Sequence, residues 1–83
     1  MHILVVEDDV VTAAKIETML QAEDFTCDMV ELGHVAVQRG KMLDYDIIIL
    51  DLILPDMSGY EVLRQLRAAG VHTPVLILSG LGE

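Results

Sequence analysis

Ile47-Ile48-Ile49-Leu50-Asp51 is a run of four apolar residues, three of them β-branched, closed by a carboxylate. A run this short does not make an ordinary helix, and its apolarity is continuous rather than alternating. A parallel strand needs that pattern when helices cover both faces of its sheet. The same signature appears at Ile3-Leu4-Val5-Val6 and at Val75-Leu76-Ile77-Leu78. Residues 25–30 alternate in part, with Phe25, Cys27 and Met29 set against Thr26 and Asp28. That predicts a less buried strand at a sheet edge.

Helical patterns fill the intervals. Ala13, Ile16, Met19 and Leu20 fall on one face at helical spacing, with Asp9 placed to cap them. Met19 and Met29 both read as core positions. Leu32, Val35, Ala36 and Leu43 predict a second helix, weakened by Gly33 and Gly40. Ser58-Gly59-Tyr60-Glu61 has capping-box spacing, Glu61 and Arg64 also stand as an ordinary i, i+3 pair, Val62, Leu63 and Leu66 form an inner face, and Gly70 is a stop. The order β-α-β-α-β-α-β is half of a doubly wound parallel α/β sheet.

Composition narrows the function. The 83 residues fit one domain, and 53% apolar content is too high for a disordered chain. Five basic against 14 acidic side chains give a net charge of −9, which argues against binding nucleic acid or an anionic membrane. One cysteine, Cys27, leaves no internal disulfide and reads as a small buried apolar residue. No apolar run approaches membrane-spanning length and Met1-His2-Ile3 does not open a signal peptide, so a soluble cytoplasmic domain is expected.

The residues after each strand carry the chemistry. Glu7-Asp8-Asp9 follow the first, Asp51 the third and Ser79-Gly80 the fourth. In a parallel sheet these carboxyl ends share one edge, where open α/β sheets bind ligands. Carboxylates gathered there repel one another unless a cation joins them, and hard oxygen donors half open to water suit Mg²⁺. Asp9 reads first as a helix cap and second as a minor acidic contributor. Asp56 follows a proline and reads as a turn former. His2, His34 and His72 are scattered without metal-ligand spacing, and none of Lys15, Arg39, Lys41, Arg64 and Arg67 stands at a strand's carboxyl end.

Val5-Val6-Glu7-Asp8-Asp9, then Asp51-Leu52-Ile53-Leu54-Pro55-Asp56-Met57-Ser58-Gly59, then Leu76-Ile77-Leu78-Ser79-Gly80 resemble, in order and spacing, the receiver domain of two-component response regulators. The resemblance spans residues 1–83 and implies a flavodoxin-like fold. Its finer wording is most similar to receivers of cell-cycle transcription regulators. It implies that Asp51 accepts a phosphoryl group from a histidine kinase or phosphotransfer protein. It further implies that Glu7, Asp8, Asp51 and the backbone carbonyl of Ile53 hold Mg²⁺. Ser79 would be the switch hydroxyl, and Pro55 and Gly59 would shape the loop beside the site. A parent regulator would bind DNA through a separate domain, which this acidic chain would not do itself.

The resemblance also implies a domain truncated after the fourth strand, without the fifth strand and its lysine or the last two helices. From that follows an expectation of self-association, a second chain covering the exposed fourth strand. An aspartyl-nucleophile enzyme of the haloacid-dehalogenase type needs a second aspartate two positions after the first, where Ile53 stands. The expectation is therefore a signalling module rather than an enzyme. The alternative is an interaction or dimerisation fragment without productive phosphorylation.

Overall fold

In the computed structural model, which describes residues 1–78, the apolar runs are strands β1 (His2–Val6), β3 (Ile47–Asp51) and β4 (Val75–Leu78). Strand β2 (Thr26–Val30) and helices α1 (Val10–Ala22), α2 (Gly33–Met42) and α3 (Gly59–Ala68) complete the alternation. All strand pairs are parallel, in the order β2-β1-β3-β4, so the partly alternating strand is indeed at an edge.

Continuous apolarity has the cause expected of it. Leu4 and Val6 enter one core with Ile48 and Leu50, under Ala36 and Val37 of α2 and Val62 and Leu66 of α3. Ile3 and Val5 turn to the opposite face with Ile49, against Ile16 and Leu20 of α1. Successive side chains of β1 therefore serve two layers, and a polar residue at any of the four would be stranded in a core.

The two layers are unequal. Among the described residues two helices cover the first, and α1 alone covers the second. No residue of α1 is fully buried, and Met19, expected in the core, is 70% exposed. Met29 is half-buried against the α1-side core, and Cys27 is half-buried rather than buried. Beside Met19 lies an apolar cavity of about 150 Å³ lined by Ile16, Met19, Leu20, Ile49, Leu76 and Leu78.

In α2 the glycines are contact points, not weaknesses. A Cβ on Gly40 would stand 2.7 Å from Leu66 Cδ2, and one on Gly33 would stand 2.5 Å from Met57 Cγ. Their missing side chains let α2 lie close against α3 and the loop before it. Leu43 caps the end of α2 and is exposed, not buried as its spacing suggested.

In α3 the capping box is half made. Ser58 Oγ accepts from the Glu61 amide at 3.1 Å. The Glu61 carboxylate does not return to the cap but turns forward to Arg64 Nε at 2.9 Å and Gln65 Nε2 at 2.9 Å. The Arg64 guanidinium, a fixed fork of donors, outcompetes a single backbone amide. With Gln65 it lowers the Glu61 carboxyl to about 2. Gly70 ends the helix at φ 81, a left-handed conformation that glycine adopts freely.

Gly59 is the most constrained glycine. A Cβ there would collide with the Asp51 carbonyl oxygen and approach Leu52 Cα at 3.0 Å, backbone atoms that cannot rotate away. Gly59→Ala is expected to destabilise the fold by about 2–3 kcal/mol, the upper end of an overpacking change. Gly40→Ala meets only the end of a leucine side chain and is expected to cost about 1 kcal/mol. Urea denaturation of both variants checks the order, and equal losses would contradict it.

Candidate functional site at the carboxyl edge of the sheet

Val6 of β1 pairs with Leu50 of β3. Asp51, next on β3, and Glu7, next after β1, therefore emerge side by side. Both are buried, at 6% and 7% exposure, while Asp8 beside them is exposed. One carboxylate oxygen from each of Glu7, Asp8 and Asp51 lies within 4.8 Å of the others. Among the described residues no lysine or arginine pairs with any of the three.

Each buried carboxylate has a partial local anchor. The Asp9 amide donates to Glu7 Oε2 at 3.1 Å, and the Ile53 amide donates to Asp51 Oδ1 at 3.3 Å. Burial nevertheless raises the Glu7 carboxyl above its ordinary value, and contact with Asp51 and the Asp8 charge push the same way. The Asp9 amide opposes the rise without cancelling it. Three hard oxygens, two sheltered and one open to solvent, with surplus negative charge, fit a small divalent cation such as Mg²⁺.

Asp9 is not part of this trio. Its Oδ2 accepts from the Thr12 amide at 2.9 Å and from Thr12 Oγ1 at 2.6 Å, capping α1 and holding its own carboxyl below the usual range. Its expected minor acidic contribution gives way to the cap, because the orphan amides at the helix start take its oxygen. What Asp9 lends the trio is its backbone N–H.

Residues 52–58 connect Asp51 to α3. Ile53 bridges Ser58 across this loop, and the Gly59 amide donates to the Leu52 carbonyl at 2.8 Å. Pro55 is exposed on the loop's outer side, and Gly59 is buried against Asp51. Ser79 and Gly80, expected at the end of β4, lie outside the described residues.

Two arrangements escaped the sequence reading. Asp56 is more than a turn former: its Oδ1 accepts from the Gly33 amide at 2.8 Å and its Oδ2 from the His34 amide at 2.9 Å. His34 Nδ1 also lies 2.9 Å from Oδ2. The His34 and Gly33 amides, then the His34 ring, hold the Asp56 carboxyl far below the usual range. At the far end of the sheet Asp28 accepts from the buried Tyr45 hydroxyl at 2.6 Å and lies 2.9 Å from His2 Nε2. Both join residues 17 or more positions apart, so no local pattern announces them.

The raised Glu7 carboxyl carries a sign. Between the ordinary carboxylate range and its folded-state value the native chain holds more protons than the unfolded chain. Stability from this group therefore falls as pH rises through that window. In metal-free buffer at neutral pH, Glu7→Gln is expected to melt about 4–8 °C above the parent, the shift of ~1 kcal/mol in a domain this size. The gap should close as the pH falls to where Glu7 is protonated. Thermal melts across pH check this; a Glu7→Gln curve parallel to the parent at every pH would refute it.

The chain matches the response regulator receiver domain family over residues 3–83. It is 56% identical over 81 residues, 98% of this chain, to the cell cycle response regulator CtrA of Brucella ovis, and the same identity holds for CtrA of Brucella anthropi. It spans 35% of the length of those relatives. Among solved structures, the Francisella response regulator 1452 receiver domain superposes with a TM-score of 0.91 at 30% identity, covering 99% of this chain and 68% of that one. The receiver domain of the Pseudomonas aeruginosa sensor histidine kinase PA1611, solved with a magnesium ion in its active-site cleft, superposes at 0.87 and 35% identity, covering 92% and 64%. The doubly wound order, the paired strand-end carboxylates and these matches agree, and the chain belongs to the response regulator receiver domain family.

Proposed function

We propose that residues 1–83 act as one phospho-accepting unit of a two-component phosphorelay, with Asp51 as acceptor. The observation that carries this is the meeting of Glu7, Asp8 and Asp51 oxygens within 4.8 Å at the carboxyl edge of the sheet. An Asp51 carboxylate oxygen attacks the phosphorus of a partner's phosphohistidine. The O–P bond forms as the P–N bond breaks, and the nitrogen electron pair stays with the partner's imidazole. The product is an acyl phosphate on Asp51.

Glu7, Asp8, Asp51 and the Ile53 carbonyl would hold Mg²⁺. Bound there, the ion would offset the repulsion between the anionic acceptor and the anionic donor. The buried positions of Glu7 and Asp51 keep the acceptor's oxygens from swinging into solvent. The Ile53 amide holds one Asp51 oxygen and leaves the other for attack. Ser79 is the hydroxyl assigned to the transferred phosphoryl group, and Pro55 and Gly59 shape the loop beside it. The proposed role is control of a DNA-binding transcription regulator of the cell-cycle type, exercised in the cytoplasm through a histidine kinase or phosphotransfer protein. The acidic unit itself contacts no nucleic acid in this reading and turns over no substrate as an enzyme. No described helix is long and apolar enough to cross a membrane.

A second reading rests on β4. Among the described strands it pairs only with β3, and Leu76 is 51% exposed beside the cavity under α1. Unpaired backbone groups on a strand edge favour pairing with another strand, and for residues 1–83 taken alone a second copy of this chain is the proposed occupant. Sedimentation velocity over a wide concentration range should show a dimer growing with concentration. A monomer throughout refutes self-association.

The phosphorylation reading is tested by intact-protein mass after incubation with acetyl phosphate. A gain of one phosphoryl mass is expected with Mg²⁺ and none in Asp51→Asn. Chelating the metal should slow the gain by about 100-fold, in line with the several kcal/mol a bound cation contributes. A folded parent that gains nothing would mean an interaction fragment whose acidic pocket is idle.

A further inference from the structure

We infer that Asp56 is a positioning residue for the Asp51 segment, acting by capping a helix that belongs to a different part of the chain; this rests on the reading of Asp51 as phospho-acceptor. The position before α2, Leu32, offers no side chain to the helix's first amides. Those orphan donors need a partner, and Asp56 supplies it from the loop between β3 and α3. Its two oxygens take the Gly33 and His34 amides at 2.8 and 2.9 Å, and the His34 ring closes on the same oxygen. The loop is thereby tied to the start of α2.

A second observation shows how tight the tie is. Met57, the next residue, sits where a Cβ on Gly33 would be, with Met57 Cγ at 2.5 Å and Val62 Cγ2 at 2.9 Å. From Met57 the chain runs to Ser58, which bridges Ile53, and to Gly59, whose amide donates to Leu52 and whose Cα side is pressed on the Asp51 carbonyl. Asp56 thus anchors one end of a short loop whose other end carries Asp51 and Ile53. With the anchor lost, the described residues hold 53–58 toward α2 by the packing of Met57 and of buried Leu54 alone, without a hydrogen bond to the start of the helix. The Ile53 amide that orients Asp51 Oδ1 then moves with a freer loop.

The experiment compares Asp56→Ala, Asp56→Asn and Arg67→Ala in the full chain. Arg67 is a control of similar kind, because its guanidinium ties the Val71 and Thr73 carbonyls far from the site. Amide hydrogen exchange is read at Gly33, His34 and Gly59. The rate of phosphoryl gain is read against acetyl phosphate concentration with saturating Mg²⁺. In Asp56→Ala, exchange should quicken about tenfold at Gly33, His34 and also Gly59, the change expected from a lost cap. The limiting phosphorylation rate should fall about tenfold while the half-saturating donor concentration stays near that of the parent.

Asp56→Asn keeps an acceptor oxygen without the charge and should show about a threefold change in each. It carries the comparison should Asp56→Ala not fold. Arg67→Ala should leave Gly59 exchange and the limiting rate unchanged at equal folded fraction. Faster exchange at Gly33 and His34 with Gly59 and the rate unaltered would overturn the inference, as would an equal loss in Arg67→Ala. A parent that gains no phosphoryl group, or an Asp51→Asn variant that gains it equally, would refute the acceptor reading instead. Gly59 exchange would then still decide whether Asp56 positions the loop.

Discussion

Parallel pairing of Val6 with Leu50 obliges the next residue on each chain segment, Glu7 and Asp51, to emerge together. Neither can retreat, because each follows an apolar run whose side chains are locked into two cores. The two carboxyl groups are held side by side and sheltered from water, with Asp8 adding a third charge nearby. Such a centre is unfavourable on its own, as the raised Glu7 carboxyl shows. The strain is local and is carried by the stability of the sheet beneath it. The gathered carboxylate oxygens, with surplus negative charge held on the sheet, fit a small divalent cation.

Close approach of backbones does the rest of the positioning. Gly33 and Gly40 bring α2 against Met57 and Leu66, and Gly59 brings the start of α3 onto the Asp51 carbonyl. The loop between Asp51 and α3 is therefore fixed from three directions: by the Gly59 amide on Leu52, by the Ile53–Ser58 bridge and by Asp56 on α2. The face carrying α2 and α3 supports this loop, while among the described residues the opposite face is covered by α1, with an apolar cavity between α1 and β4.

Sequence patterns served best where one residue's environment follows from its neighbours. The strands at Ile3 and Ile47 were legible because a two-faced burial requirement acts on such a strand, and β4 carries the same apolar run although Leu76 is exposed. The strand-end carboxylates were legible because parallel strands share an edge. Met19 and Leu43 were misread because helical spacing says which residues share a face but not how much material covers it; α1 has a thin partner layer, and Leu43 falls beyond the last turn of α2. Gly33 and Gly40 looked like helix weakeners because propensity sees an isolated helix, whereas here their lack of a side chain admits α3. Glu61 fitted a capping box, yet Arg64 one turn later offers a stronger partner than the cap amide.

By itself the sequence determined the class of fold, the alternation of strands and helices, and the carboxylates that would gather at one edge, all properties set by local periodicity and chain direction. Only the tertiary structure decided that Asp9, while capping α1 as its position suggested, also lends its amide to Glu7. It likewise decided that Asp56 caps α2 and that Asp28 joins Tyr45 and His2. The reason is physical: a hydrogen-bonding side chain takes whichever unmet donor folding brings within about 3 Å. For residues 22 or 23 positions apart, that donor is chosen by how helices pack and not by anything in the intervening sequence.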